Sequence, residues 1–165
     1  MAEGVLVIGS GVAGVKASLE VASRGQRVWM IERSPFLGGE VALLERQFPT
    51  DRCCLCQMLP TFGRVEEAEY CLRRSFYHPL VEFLPSSELL ALEGSEGAFK
   101  AVVRRRPRGV REELCTACGR CLEVCPLETR DEFDPFGRRK AIYLRGPDPV
   151  PPVPAIDWGL CDRCG

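Results

Sequence analysis

Val5-Leu6-Val7-Ile8-Gly9-Ser10-Gly11-Val12-Ala13-Gly14 is the stretch that decides the fold. Val5–Ile8 is a short, apolar, β-branched run, the pattern of a strand buried in a parallel sheet. The glycines follow at once in G-x-G-x-x-G spacing. Val12–Ala22 then reads as a helix closed by Gly25, and Arg27–Ile31 as a second apolar strand with Glu32 at its end. Strand, glycine turn, helix, strand and an acid about twenty residues on form the context in which this motif holds a dinucleotide. Gly9 makes the tight turn, Gly11 lets the backbone approach a pyrophosphate, and Gly14 lets helix and strand pack closely. The helix N-terminus faces the phosphate charge, and Glu32 can accept from a ribose hydroxyl. Without the flanking strands and the acid, the glycines would indicate no more than a tight strand-to-helix turn.

The segment after Glu32 bears on which dinucleotide is held. Glu32-Arg33-Ser34-Pro35-Phe36-Leu37-Gly38-Gly39 resembles the E-x5-GG extension of two-dinucleotide-binding flavoproteins, in which the glycine pair passes close to FAD. Read without that resemblance it is a proline-initiated loop ended by glycines. Farther along, Cys115–Pro126 reads C-T-A-C-G-R-C-L-E-V-C-P. The spacing C-x2-C-x2-C-x3-C-P is the bacterial ferredoxin run for a [4Fe–4S] cluster. The first three thiolates serve one cluster, and the fourth serves a neighbouring one. Gly119 lets the loop backbone come close to the cluster without a Cβ in the way. Zinc sites instead pair two C-x-x-C knuckles across a longer loop, and disulfides need no such strict local spacing.

Composition sets the class. The chain has 165 residues with 10 cysteines, a net charge of −1 and 45% apolar residues, enough for a core. No apolar stretch reaches the length of about eighteen residues that a membrane span requires, and Met1 leads directly into a strand with no signal peptide. A reducing, cytoplasmic setting follows, where clustered thiols signify metal or redox chemistry rather than staples. The near-zero charge gives a nucleic-acid role little electrostatic support.

Between the two motifs, Cys53 and Cys56 form a C-x-x-C pair with Cys54 inside it. The pair reads as cluster ligands, as a redox disulfide beside a flavin, or as buried free thiols. Cys71 lies in the helical pattern of Val65–Arg74 and is expected to be a buried thiol. His78, before Pro79, is expected in a turn rather than as a catalytic base. Val81–Leu84, Glu88–Glu93 and Phe99–Arg105 read as strands of a small β meander, with Gly94 and Gly97 turning a hairpin. The basic run Arg104–Arg106, Arg108 and Arg111 reads as a solvated strand end, with steering of an acidic partner as the functional alternative. After the cysteine run, Glu128–Phe136 is acidic and turn-rich, and Arg138–Leu144 reads as a strand. Pro149, Pro151, Pro152 and Pro154 read as a stiff extended spacer. Cys161-Asp162-Arg163-Cys164-Gly165 is the start of a second cysteine run.

Counting ligands, one cluster takes Cys115, Cys118 and Cys121. The other takes Cys125, Cys161 and Cys164. Each lacks a fourth, which leads to the expectation that the chain is the N-terminal part of a larger protein or half of a split one.

The order of these motifs resembles the A-subunit family of heterodisulfide reductase and its relatives, including quinone-interacting oxidoreductase subunits. The matches run from Val5–Gly14, Glu32–Pro35 and Gly38-Gly39 through Phe48–Asp51 with Cys53 and Cys56, Ala98–Lys100 and the Cys115–Pro126 run. They continue through Asp131–Asp134, Gly137–Tyr143 and Ile156-Asp157 before Cys161. The methanogen form of the family carries a further domain before the first strand. The resemblance implies an α/β fold: a Rossmann-like FAD-binding domain of the thioredoxin-reductase type, incomplete here, over residues 1–111 with the β meander. A truncated ferredoxin-like [4Fe–4S] domain is inserted over residues 112–165. FAD would be held by Gly9, Gly11, Gly14, Glu32, Arg33, Gly38 and Gly39, and iron by Cys115, Cys118, Cys121, Cys125, Cys161 and Cys164. The implied role is an oxidoreductase subunit passing electrons between FAD and [4Fe–4S] clusters to a partner protein. The other subunits of such a complex, or a missing C-terminal portion, would complete it. A flavin-dependent disulfide reductase using Cys53 and Cys56, a non-catalytic iron–sulfur interaction module and a zinc-bound structural fragment are the alternatives.

Overall fold

The computed structural model describes residues 4–44, 46–47, 52–53, 78–146 and 149–164, with the backbone alone at residues 46, 47, 52 and 53. The expectations for Cys54, Cys56, Cys71 and the helix over Val65–Arg74 lie outside the described residues.

Three parallel strands form the first sheet: β1 (Val5–Ile8), β2 (Val28–Ile31) and β5 (Val81–Leu84), in the order β1-β2-β5. Val5 pairs with Val28 and Val28 with Val81, so the three strands start level. The middle strand is covered on both faces, and its apolar run Val28-Trp29-Met30-Ile31 has no alternation, as expected for such a position. Helix α1 (Val12–Ser23) buries Val15, Ser18 and Ala22 against this sheet. Val15 and Ala22, with Val28, Met30, Leu37 and Val81, make the core of the module. The 3₁₀ turn Val41–Leu44 follows, then the short antiparallel pair β3 (Arg46–Gln47) and β4 (Arg52–Cys53), which places the Cys53 backbone in a strand.

The meander is a correction. Val81–Leu84 belongs to the parallel sheet, and only β6 (Ser87–Ser95) and β7 (Ala98–Arg105) form the antiparallel hairpin. A four-residue apolar run has no direction written into it. Its parallel partner, β2, lies some fifty residues back, and no local pattern reports that pairing. Ser86, in the left-handed region at φ 53°, turns the chain between β5 and β6. There the Ser87 amide donates to the Glu32 carbonyl at 2.7 Å. The Gly94–Gly97 turn is where the sequence puts it; a Cβ on Gly94 would stand 2.3 Å from the Ala98 carbonyl oxygen.

The cysteine-rich segment has little regular structure. Helix α2 (Arg120–Val124) is five residues long, β8 (Glu128–Arg130) pairs with β9 (Arg138–Lys140), and β10 (Ile142–Tyr143) pairs with β11 (Ala155–Ile156). The expected strand Arg138–Leu144 is therefore split at the buried Ala141. The proline stretch is not a spacer: Val153, Pro154 and Ala155 are buried. Leu37 donates to the Val150 carbonyl at 2.9 Å. Proline brings apolar surface with no N–H to satisfy, so it can enter a core as readily as it can stiffen a linker.

Arg108 ties the two parts together. It is 8% exposed. Its guanidinium donates to the Val153 carbonyl at 2.8 Å, to Glu112 at 3.0 Å and to the Pro35 carbonyl, and lies over the Phe36 ring. The basic run is thus not uniformly solvated. Arg104 and Arg106 pair at the surface with Glu88, whereas Arg108 is a buried cross-brace.

Candidate functional site

The glycine turn takes the form the spacing demands. Gly9 has φ 92°, a conformation that favours glycine. A Cβ on Gly14 would sit 1.9 Å from the Gly9 carbonyl oxygen, so helix and turn touch backbone to backbone. A Cβ on Gly11 would meet nothing within 4 Å, and Gly11 caps α1 without any side-chain bond to the first amides. No side chain satisfies the leading N–H groups of the helix, and its first turn carries no acidic residue. This is a ready anion site. The glycine pair folds back over it: Gly38 donates to the Ser10 carbonyl at 3.0 Å, and a Cβ on Gly39 would lie 3.4 Å from the Gly11 Cα.

Glu32 is braced from both sides. Its Oε2 accepts from the Ser10 amide at 2.8 Å and the Ser10 hydroxyl at 2.7 Å, and its Oε1 accepts from the Ser34 amide at 2.7 Å. A carboxylate offers about four acceptor sites, which leaves room for a hydroxyl donor. Ser10 is fully buried and escaped the sequence reading. The available signal was a polar residue between the first two glycines, next to the strand whose neighbour ends in Glu32.

A cleft of about 300 Å³ opens beyond Glu32. One wall is Glu32, Arg33, Ser34 and Pro35; the other comes from the cysteine-rich segment, with Asp131, Glu132, Phe133, Arg139, Tyr143 and Arg145. Arg139 holds Asp157 at 2.8 Å and Glu132 at 3.3 Å through Nη2, and its guanidinium lies 4.3 Å from the Tyr143 ring centre. These residues stand about a hundred positions from Glu32, so no sequence pattern joined them to it.

The cysteine loop sets its thiols in differing environments. Gly119 is left-handed at φ 77°, and a Cβ there would meet nothing within 4 Å. The Ala117 amide points to Cys115 Sγ at 3.4 Å. The Arg120 amide, with the Thr116 side chain, draws the exposed Cys118 thiol below its ordinary range. The amide of Ile142, joined by those of Leu127 and Ala141, does the same for Cys125. Burial pushes Cys121 up, helped by the charges of Cys115 and Cys118, which are within electrostatic reach. Cys164 is raised first by the Asp162 carboxylate, and Cys125, within electrostatic reach, adds to the effect. Among the described residues no three Cys, His, Asp or Glu side chains converge tightly enough to hold a single metal ion. The donor set fits an iron–sulfur cluster by its chemistry: cysteines alone, at cluster spacing, two of them backed by amide donors that stabilise sulfur anions.

Comparison with known proteins follows the same division. A family model described as FAD dependent oxidoreductase matches residues 4–44, and one described as 4Fe-4S binding domain matches residues 109–130. A heterodisulfide reductase A-subunit-like protein of Archaeoglobus profundus is 41% identical over 98% of this chain and 22% of its own length. The chain is a relative of the heterodisulfide reductase A-subunits. The iron-sulfur A-subunit of the CoB–CoM heterodisulfide reductase of Methanocaldococcus jannaschii is 40% identical over 97% of this chain and 23% of its own. The A-subunit of the ferredoxin:CoB-CoM heterodisulfide reductase of Methanosarcina mazei is 38% identical over 98% and 19%. The chain thus spans about a fifth of the length of these relatives. A solved L-proline dehydrogenase from P. horikoshii aligns with 62% of this chain and 19% of its own at 21% identity and a TM-score of 0.42, too distant to argue from. FAD and [4Fe–4S] clusters are the cofactors of this oxidoreductase segment, and no helix among its described residues is long and apolar enough to cross a membrane.

Proposed function

We propose that the chain is the electron-transfer segment of a heterodisulfide-reductase-like complex, carrying electrons between FAD and [4Fe–4S] clusters toward a partner subunit in the cytoplasm. Its FAD domain, residues 1–111, is of the thioredoxin-reductase type, and residues 112–165 form the inserted ferredoxin-like domain. One observation carries the reading: a single folded chain presents both an uncapped, glycine-opened helix start beside a braced acid and an amide-backed cysteine loop. FAD, when bound, exchanges electron pairs, and iron–sulfur clusters exchange single electrons. The chain's own residues grip and orient. Gly9, Gly11 and Gly14 with the α1 amides take the pyrophosphate, Glu32 takes a ribose hydroxyl, and Arg33, Gly38 and Gly39 lie along the cofactor. Cys115, Cys118 and Cys121 hold one cluster. Cys125, Cys161 and Cys164 belong to the other, a grouping in keeping with Cys125 lying within electrostatic reach of Cys164.

Anaerobic purification with flavin and metal analysis tests this. The chain should carry FAD and iron, with iron below four per cluster because each cluster has three cysteines here. Gly11→Val should remove flavin and keep iron, and Cys121→Ser should do the reverse. Zinc in place of iron, with no flavin, would sink the reading.

A further inference from the structure

We propose that the cleft between Glu32–Pro35 and the cysteine-rich segment is a composite adenosine site, in which Phe133, Arg139, Tyr143 and Arg145 of the iron–sulfur segment form the outer wall. The inference rests on the FAD reading above and adds which residues close that end of the cofactor.

Position is the first argument. Glu32 stands at the carboxyl end of β2, where the ribose is taken, and it also lines the cleft. Whatever continues from that ribose, away from the glycine turn, enters this space. Size is the second. At about 300 Å³ the cleft lies at the small end of the range for organic ligands. It has room for a nucleoside but not for a whole dinucleotide.

Lining chemistry is the third argument. Phe133 offers a π-face, and Arg139 stacks over Tyr143 at 4.3 Å, while Arg33 and Arg145 bring further planar cations. Aromatic and guanidinium planes are what a purine ring stacks upon. Nη2 of Arg139 is held by Asp157 and Glu132, which fixes the guanidinium at the cleft wall.

The consequence is architectural. The nucleotide would bridge the glycine-turn module and the segment that carries the cysteines, so neither part alone would hold the adenosine end tightly.

Equilibrium binding to the flavin-stripped full chain tests this, with FAD, FMN and ADP as probes. Phe133→Ala and Arg145→Gln should each raise the FAD dissociation constant roughly tenfold, the scale of one lost stacking partner. They should raise the ADP constant by the same factor. FMN, which lacks adenosine, should bind wild type and variants alike, and iron content and unfolding midpoint should not change. Arg139→Lys, which keeps the charge but not the plane, should weaken FAD and ADP together. If Gly11→Val abolishes FAD binding while Phe133→Ala and Arg145→Gln leave both constants at wild-type values, the FAD site stands and this wall is wrong. If the wild-type chain binds neither FAD nor ADP, the FAD reading itself fails, and the composite site with it.

Discussion

Gly14 shows how little freedom single positions have here. The Cβ of an alanine would lie 1.9 Å from the Gly9 carbonyl oxygen, backbone that cannot swing aside. Gly14→Ala should therefore push α1 off the turn, costing about 1–3 kcal/mol in urea unfolding and removing bound flavin. Retention of both flavin and stability would mean the helix does not pack as described. Asp131 makes a second residue-scale case. Its Oδ1 accepts from the Phe133 and Asp134 amides at 2.8 and 3.0 Å. Those bonds, that of Asp134 foremost, hold the carboxyl below the ordinary aspartate range. A carboxyl depressed by folding contributes stability that is full above its unfolded pKa, about 3.9, and fades as pH falls through the lower folded value. The stability advantage of wild type over Asp131→Asn should thus be full at pH 6 and shrink below about pH 4. An advantage that stayed constant across that range would show that the amides do not read the charge.

Among the elements, the βαβ unit was legible, and so was the third strand, but not its pairing. The periodicity of Val5–Ile8, Val12–Ala22 and Arg27–Ile31 names strand, helix and strand because each pattern reports burial by its own neighbours. Val81–Leu84 reports only that it is apolar. Whether it continues a meander or completes a parallel sheet depends on a crossover, and the structure chose the sheet. The proline stretch and Arg108 belong together for the same reason. Both looked like solvent-facing features, and both are buried because the stretch docks on Leu37 and runs into β11, with Arg108 satisfying the Val153 and Pro35 carbonyls. Arg108→Met should leave those carbonyls unpaired and cost about 2–3 kcal/mol, with Arg108→Lys recovering part of the loss. Equal unfolding midpoints for the Met variant and wild type would count against the brace.

On the scale of the whole molecule, cofactor and fold are linked by mass action. FAD that binds the folded chain and not the unfolded one stabilises it by about 2.7 kcal/mol at a hundredfold excess over its dissociation constant. Thermal unfolding should shift upward with FAD, by much less with FMN at the same concentration, and not at all with FAD in Gly11→Val. An FMN shift equal to that of FAD would place the binding energy on the isoalloxazine rather than on the glycine turn. The relatives are between four and five times longer than this chain, so the linkage measured on it reports cofactor binding alone.

The cysteine spacing, the glycine turn and Glu32 were open to reading because they are local: their chemistry needs certain residue types a few positions apart, and the chain sets positions in order. Three other features required the folded chain: the parallel pairing of β5, the burial of Arg108 and the prolines, and the cleft shared by Glu32 and Arg139. Each joins residues tens to a hundred positions apart, and such contacts are set by how surfaces bury one another in space, which no window along the chain records.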